Sequence, residues 1–155
     1  MTLTELPHRL GTRHRPVRSW LYIVLIGLSA LTVLLQGLWA GLFIHEGHDF
    51  QQRWVDVHAR GGEAAIAFAA LATVVAVVKL RSRVDLVIGG IALTVLLVVE
   101  AFLGGLIGDS PRMSVIHMPL ALAAMGLAIW LTSRATRRPR ARALAREEVA
   151  DDGRD

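Results

Sequence analysis

Four long apolar runs, Trp20 to Ile44, Gly62 to Val78, Val84 to Ile107 and Val115 to Leu131, alternate with short segments that hold most of the charge. No other feature limits the fold so strongly. An α-helix rises about 1.5 Å per residue, so roughly 20 apolar residues cross the ~30 Å of hydrocarbon in a bilayer. The second run reaches that length when its Ala-rich ends also lie in the membrane. The expectation is therefore an all-α integral membrane four-helix bundle, with helices over about 20–44, 60–80, 84–107 and 115–132 inside a transmembrane domain of 19–133. A basic segment, 1–18, precedes it, and a charged, partly disordered tail, 134–155, follows it. The hydrophobic share, 54% of 155 residues, is too segregated from the charge for a soluble core.

Arginine and lysine set the orientation. Fourteen lie in the N-terminal segment, the loop around Arg81 and the C-terminal tail, against three (Arg53, Arg60 and Arg112) in the two remaining loops. Basic loops stay on the cytoplasmic side, which puts both termini in the cytoplasm of a bacterial plasma membrane. Trp20 and Trp130 fall at the cytoplasmic ends of the first and last helices, where indoles prefer the interface. The net charge of +4 then reflects topology and anionic headgroups, and calls for no nucleic acid. The first apolar run is longer than a signal-peptide core and has no small-residue cleavage motif, so it reads as an uncleaved helix. With no cysteine, thiolate zinc, iron–sulfur clusters and covalently attached haem are excluded.

The halves of the chain align weakly as a pseudo-twofold 2+2 helix repeat. Leu31-Thr32-Val33-Leu34-Leu35 precedes Gln36 and Ala40-Gly41, as Leu93-Thr94-Val95-Leu96-Leu97 precedes Glu100 and Gly104-Gly105. Each half then has an outer loop and a histidine opening the next helix. His58 heads Gly62, Ala65 and Ala69; His117 heads Ala121, Ala124 and Ala128. Positions i, i+4, i+7 and i+11 share one helix face, so each imidazole stands above a groove of small residues. Two imidazoles so placed suit the axial positions of a flat macrocycle, with Gly62, Ala65, Ala121 and Ala124 leaving room for the ring. Small residues four apart are also how membrane helices pack without any cofactor.

Gln36 and Glu100 are polar groups well inside the apolar runs. They are candidates for a proton relay, or for a buried polar pair joined across the first and third helices. The outer segment His45-Glu46-Gly47-His48-Asp49 offers metal-capable groups, with His45 and Asp49 on one face if helical. It departs from the H-E-x-x-H spacing of zinc sites, so His45, His48 and Asp49 stand as an alternative metal set. Arg53 and Arg60 are expected over the bundle, within reach of a macrocycle's carboxylates.

The motifs Gln36, Ala40-Gly41, Asp56-Val57-His58 and His117-Met118-Pro119 resemble those of an actinobacterial family of small four-helix membrane proteins of uncharacterised function, over about Leu31 to Leu131. More distantly, the layout is similar to one half of the haem A synthase type of membrane protein, four helices with a histidine at the outer end of the second and fourth. That resemblance implies b-type haem held by His58 and His117, for electron transfer or haem handling with a redox or membrane-protein partner. No catalytic constellation is visible. A cofactor-free interaction or assembly protein, alone or as a homo-oligomer, and a small transporter using Glu100 are the alternatives.

Overall fold

The computed structural model describes residues 19–45 and 48–137, the side chains of residues 43, 45 and 48–51 excepted. The expected segment 1–18 lies outside these residues, as does the expected tail of 134–155 from residue 138 on; its first residues, 134–136, continue the fourth helix. The described chain is four α-helices: α1 (Trp20–His45), α2 (His48–Lys79), α3 (Val84–Leu106) and α4 (Ser114–Thr136), with one 3₁₀ turn at Pro111–Met113 before α4. Among the described residues there is no strand. Each helix packs on the next in sequence and α4 closes against α1, while the diagonal pairs, α1 with α3 and α2 with α4, make no close backbone approach. All four are long and apolar enough to cross a membrane.

The packing is inside-out by the standard of a soluble bundle. The core is mostly alanine on α2 and α4 (Ala65, Ala69, Ala72, Ala76, Ala124 and Ala128), while Leu34, Val95, Phe102 and Leu122 point outward. Large apolar side chains outside and small ones inside suit a bilayer, where close backbone approach rather than expulsion of water holds helices together. Of the residues expected to face inward, Ala65, Ala69 and Ala124 do so fully and Ala121 is half-buried. Ala65→Leu or Ala124→Leu is accordingly expected to cost about 1–3 kcal/mol by overpacking. Thermal unfolding in detergent checks this, and wild-type stability in both variants would place these faces against lipid.

Hydrogen bonds fix the register of α1 on α2. Ser29 Oγ donates to the Ala65 carbonyl (3.0 Å), and His58 Nδ1 lies 3.2 Å from the Gln36 carbonyl. The α2–α3 pair is joined by Thr73 Oγ1 and Thr94 Oγ1 at 3.2 Å. Gly90 is needed beside them, because a side-chain carbon there would fall 2.8 Å from Thr73 Oγ1. At the opposite end from the two histidines, Asp85 accepts from Arg83 (3.0 and 3.1 Å) and from Arg134 (3.2 Å). Arg83 also donates to the Arg134 carbonyl, tying the α2–α3 loop to α4. The Asp85 carboxylate holds the Arg83 guanidinium still higher above its ordinary range. Asp85 thus joins the start of α3 to the end of α4.

The largest departure from the sequence expectation is at the start of α2. The helix begins at His48 instead of near residue 60, giving 32 residues and about 48 Å. Charge density marks where the chain leaves hydrocarbon, but it does not break a helix. Gln52, for instance, donates to Asp56 one turn on (2.9 Å), a pairing that supports helix in water. His58 consequently sits three turns inside α2 rather than opening it.

Candidate functional site

Two hairpins bring the polar residues of the apolar runs together. α1 ends at His45 and α2 begins at His48, with Gln36 nine residues before the one end and His58 ten residues after the other, so antiparallel packing sets them side by side. The second hairpin turns between Ile107 and Ser110 and sets Glu100 against His117.

In the α1–α2 half, the His58 ring is held from behind by the Gln36 carbonyl through Nδ1. Gln36 and Trp39 both pack on Gly61, where a side-chain carbon would overlap the Trp39 ring and fall 2.5 Å from Gln36 Nε2. Gly61 is buried; Gly62, on the His58 face, is half-buried, and a side-chain carbon there would meet nothing within 4 Å. The glycine that lets the helices approach is therefore Gly61, which sequence spacing did not single out. Gly62 leaves the face below His58 open.

In the α3–α4 half, His117 Nδ1 lies 2.8 Å from Glu100 Oε2, within ion-pair distance, though not aligned as a hydrogen bond. The His117 ring rests on Gly104, whose hypothetical side-chain carbon would sit 3.3 Å from Cε1. Pro119, two residues on, removes one backbone N–H from α4 beside this histidine.

Four buried side-chain polar atoms among the described residues lack a hydrogen-bond partner, and three belong to this cluster: Gln36 Nε2, Glu100 Oε1 and His117 Nδ1. Glu100 is only 6% exposed. A buried polar group left unpaired costs about 1–3 kcal/mol, so the bundle keeps its most costly polar atoms beside the two histidines.

No match to this chain is found among known protein families, curated proteins or solved structures.

Several sequence expectations are corrected. Gln36 and Glu100 form no bond to each other: they stand on the diagonal helices α1 and α3, and Glu100 meets His117 instead. Arg53 and Arg60 are exposed, with Arg53 over the Trp54 ring at 5.7 Å. At about 100° per residue both lie well around α2 from His58, so neither overhangs the site. The side chains of His45, His48 and Asp49 lie outside the described residues, but His45 belongs to α1 and Asp49 to α2, so they do not share a helix face. Among the described residues no group of three or more His, Cys, Asp or Glu gathers as a metal would need.

Gly61, Trp39 and Gly104 are the site residues missed from sequence. Folding each hairpin about its turn would have pointed to Gly104, which lies opposite the start of α4.

Proposed function

We propose that the chain binds b-type haem between α2 and α4, where His58 and His117 are the residues that would hold its iron, for electron transfer or haem handling at the membrane surface. The observation that carries this reading is that each imidazole has an oxygen close to Nδ1, within hydrogen-bond reach for His58 and at ion-pair distance for His117. For His58 it is the Gln36 carbonyl at 3.2 Å, for His117 the Glu100 carboxyl at 2.8 Å. Iron-binding histidines are typically oriented this way, through Nδ1 to a carbonyl or carboxylate, which fixes the ring and raises its basicity. Two histidines suffice for a six-coordinate haem, whereas a bare metal ion would need further ligands.

Further support comes from the fit of the surroundings. Diagonal helices without backbone contact leave the axis between His58 and His117 to side chains, Gly62 leaves the His58 face open, and Gly104 seats the His117 ring. Haem, when bound, supplies a one-electron carrier. The protein's part is to hold both rings, exclude water through the alanine core below, and keep the buried Glu100 carboxyl beside one ligand. The resemblance to half of a haem A synthase type bundle points the same way. The test is an absorption spectrum of the detergent-purified chain expressed with ample haem, in which a Soret band is expected.

The buried Glu100 also favours a second reading, a proton-coupled transporter. That reading requires substrate or proton flux lost in Glu100→Gln and no visible absorbance.

The orientation belongs to the same proposal. Both termini are cytoplasmic and the histidine end of the bundle is external, on the strength of the basic residues gathered at the opposite end. A reporter fused after Asp155 or inserted beside Arg81 should behave as cytoplasmic, and one near Asp49 as exported. The reverse pattern would move the haem site to the cytoplasmic side.

A further inference from the structure

The basic end of the bundle carries a groove that plays no part in the histidine site. It lies between α1 and α4, is lined by Gly27, Ala30, Ile129, Thr132, Ser133 and Thr136, holds about 250 Å³, and is open along one side. These two helices are not joined by a hairpin. A side-chain carbon on Gly27 would meet nothing within 4 Å, so the groove is unfilled on its α1 wall.

The lining is chemically apolar in spite of its three hydroxyls. Thr132, Ser133 and Thr136 donate to carbonyls of their own helix, at Ala128, Ile129 and Thr132. Their donors are used, and what they offer outward is mainly carbon. The groove faces the bilayer side of a membrane helix pair, where the available apolar molecule is lipid. Its volume equals roughly eight groups of ~30 Å³, a stretch of one acyl chain rather than a whole lipid or a second helix.

The end of the bundle at which the groove lies is charged. Arg137 follows Ser133 by four residues and Trp20 precedes Gly27 by seven, so each continues one wall of the groove to its end. Trp20 is 71% exposed. Among the described residues this end holds Lys79, Arg81, Arg83, Arg134 and Arg137 against Asp85 alone, and Asp85 is already paired with Arg83 and Arg134. Arg138 and Arg140 follow in sequence. A guanidinium one turn beyond Ser133 and an indole two turns before Gly27, both toward the basic end, match a phosphate headgroup with its chain in the groove.

We propose that the α1–α4 groove is a binding site for one anionic phospholipid, with an acyl chain along Gly27 and Ala30 and the headgroup phosphate at Arg137. The test is native mass spectrometry of the delipidated full chain titrated with phosphatidylglycerol, phosphatidylcholine or inorganic phosphate. One phosphatidylglycerol should be retained, phosphatidylcholine about tenfold less, and inorganic phosphate should neither bind nor compete. Gly27→Leu, which fills the groove, and Arg137→Gln should each lower phosphatidylglycerol retention about tenfold. Ala30→Leu repeats the groove test should Gly27→Leu fail to fold. Arg81→Gln, the same change of charge in the α2–α3 loop, should leave retention unaltered. Equal binding of the two lipids, equal losses in Arg81→Gln and Arg137→Gln, full retention in the groove-filling variants, displacement by phosphate alone, or a dimer abolished by Gly27→Leu would each overturn the proposal.

Discussion

His58→Ala and His117→Ala are each expected to abolish the six-coordinate low-spin haem spectrum, because a single remaining imidazole leaves one iron position open. The product should be a high-spin five-coordinate species or no bound haem. Glu100→Gln should act more mildly: loss of the carboxylate behind His117 is expected to weaken haem binding by about 10- to 100-fold while preserving low-spin absorption in what remains. His45→Ala and His48→Ala should leave the spectrum unchanged. Visible spectra at matched protein concentration distinguish these outcomes. Haem retained by both helix variants and lost from the loop variants would move the ligands to the segment between α1 and α2. A colourless wild-type chain under haem-replete expression would end the haem reading altogether.

The second large effect separates two adjacent glycines. Gly61→Leu should destabilise the bundle by about 3 kcal/mol, the upper part of the usual overpacking range, because even the first added carbon overlaps the Trp39 ring and crowds Gln36. Displacing Gln36 also disturbs the carbonyl that orients His58. Gly62→Leu should leave the apo-protein's thermal stability unchanged or slightly raised, since open space receives the side chain and a helical glycine is removed. Yet Gly62→Leu should reduce haem occupancy, because it fills the face below His58. Thermal unfolding of apo-protein paired with haem titration reads both. Equal destabilisation by the two substitutions would contradict the helix–helix contact assigned to Gly61, and undiminished haem binding in Gly62→Leu would remove Gly62 from the site.

The two glycines also show where sequence reasoning stopped. Helical periodicity alone put Gly62, Ala65 and Ala69 on the His58 face, and both alanines are buried. Periodicity describes one helix at a time, however, and it cannot say which neighbour presses on a given face. Gly61 matters because Trp39 of α1 arrives there. In the same way Glu100 was legible as a costly carboxyl in an apolar run, but its partner was not. The expected bond to Gln36 assumed that α1 and α3 are neighbours, and the ring of contacts makes them diagonal.

What the sequence determined by itself is the number of helices, their apolar lengths, and the two histidines with the small residues beneath them. These follow from local composition: hydrocarbon thickness sets the length of a run, and the helical repeat sets which residues share a face. The extension of α2 back to His48 was hidden because polarity reports the solvent a segment meets, and a helix forms in either solvent. Only the tertiary structure decided that Gln36 stands behind His58, that Glu100 stands behind His117, and that α1 and α4 leave a groove at the basic end. Those contacts depend on the rotation and register of whole helices against each other, which are settled by the sum of all packing along their length rather than by any residue's own preference.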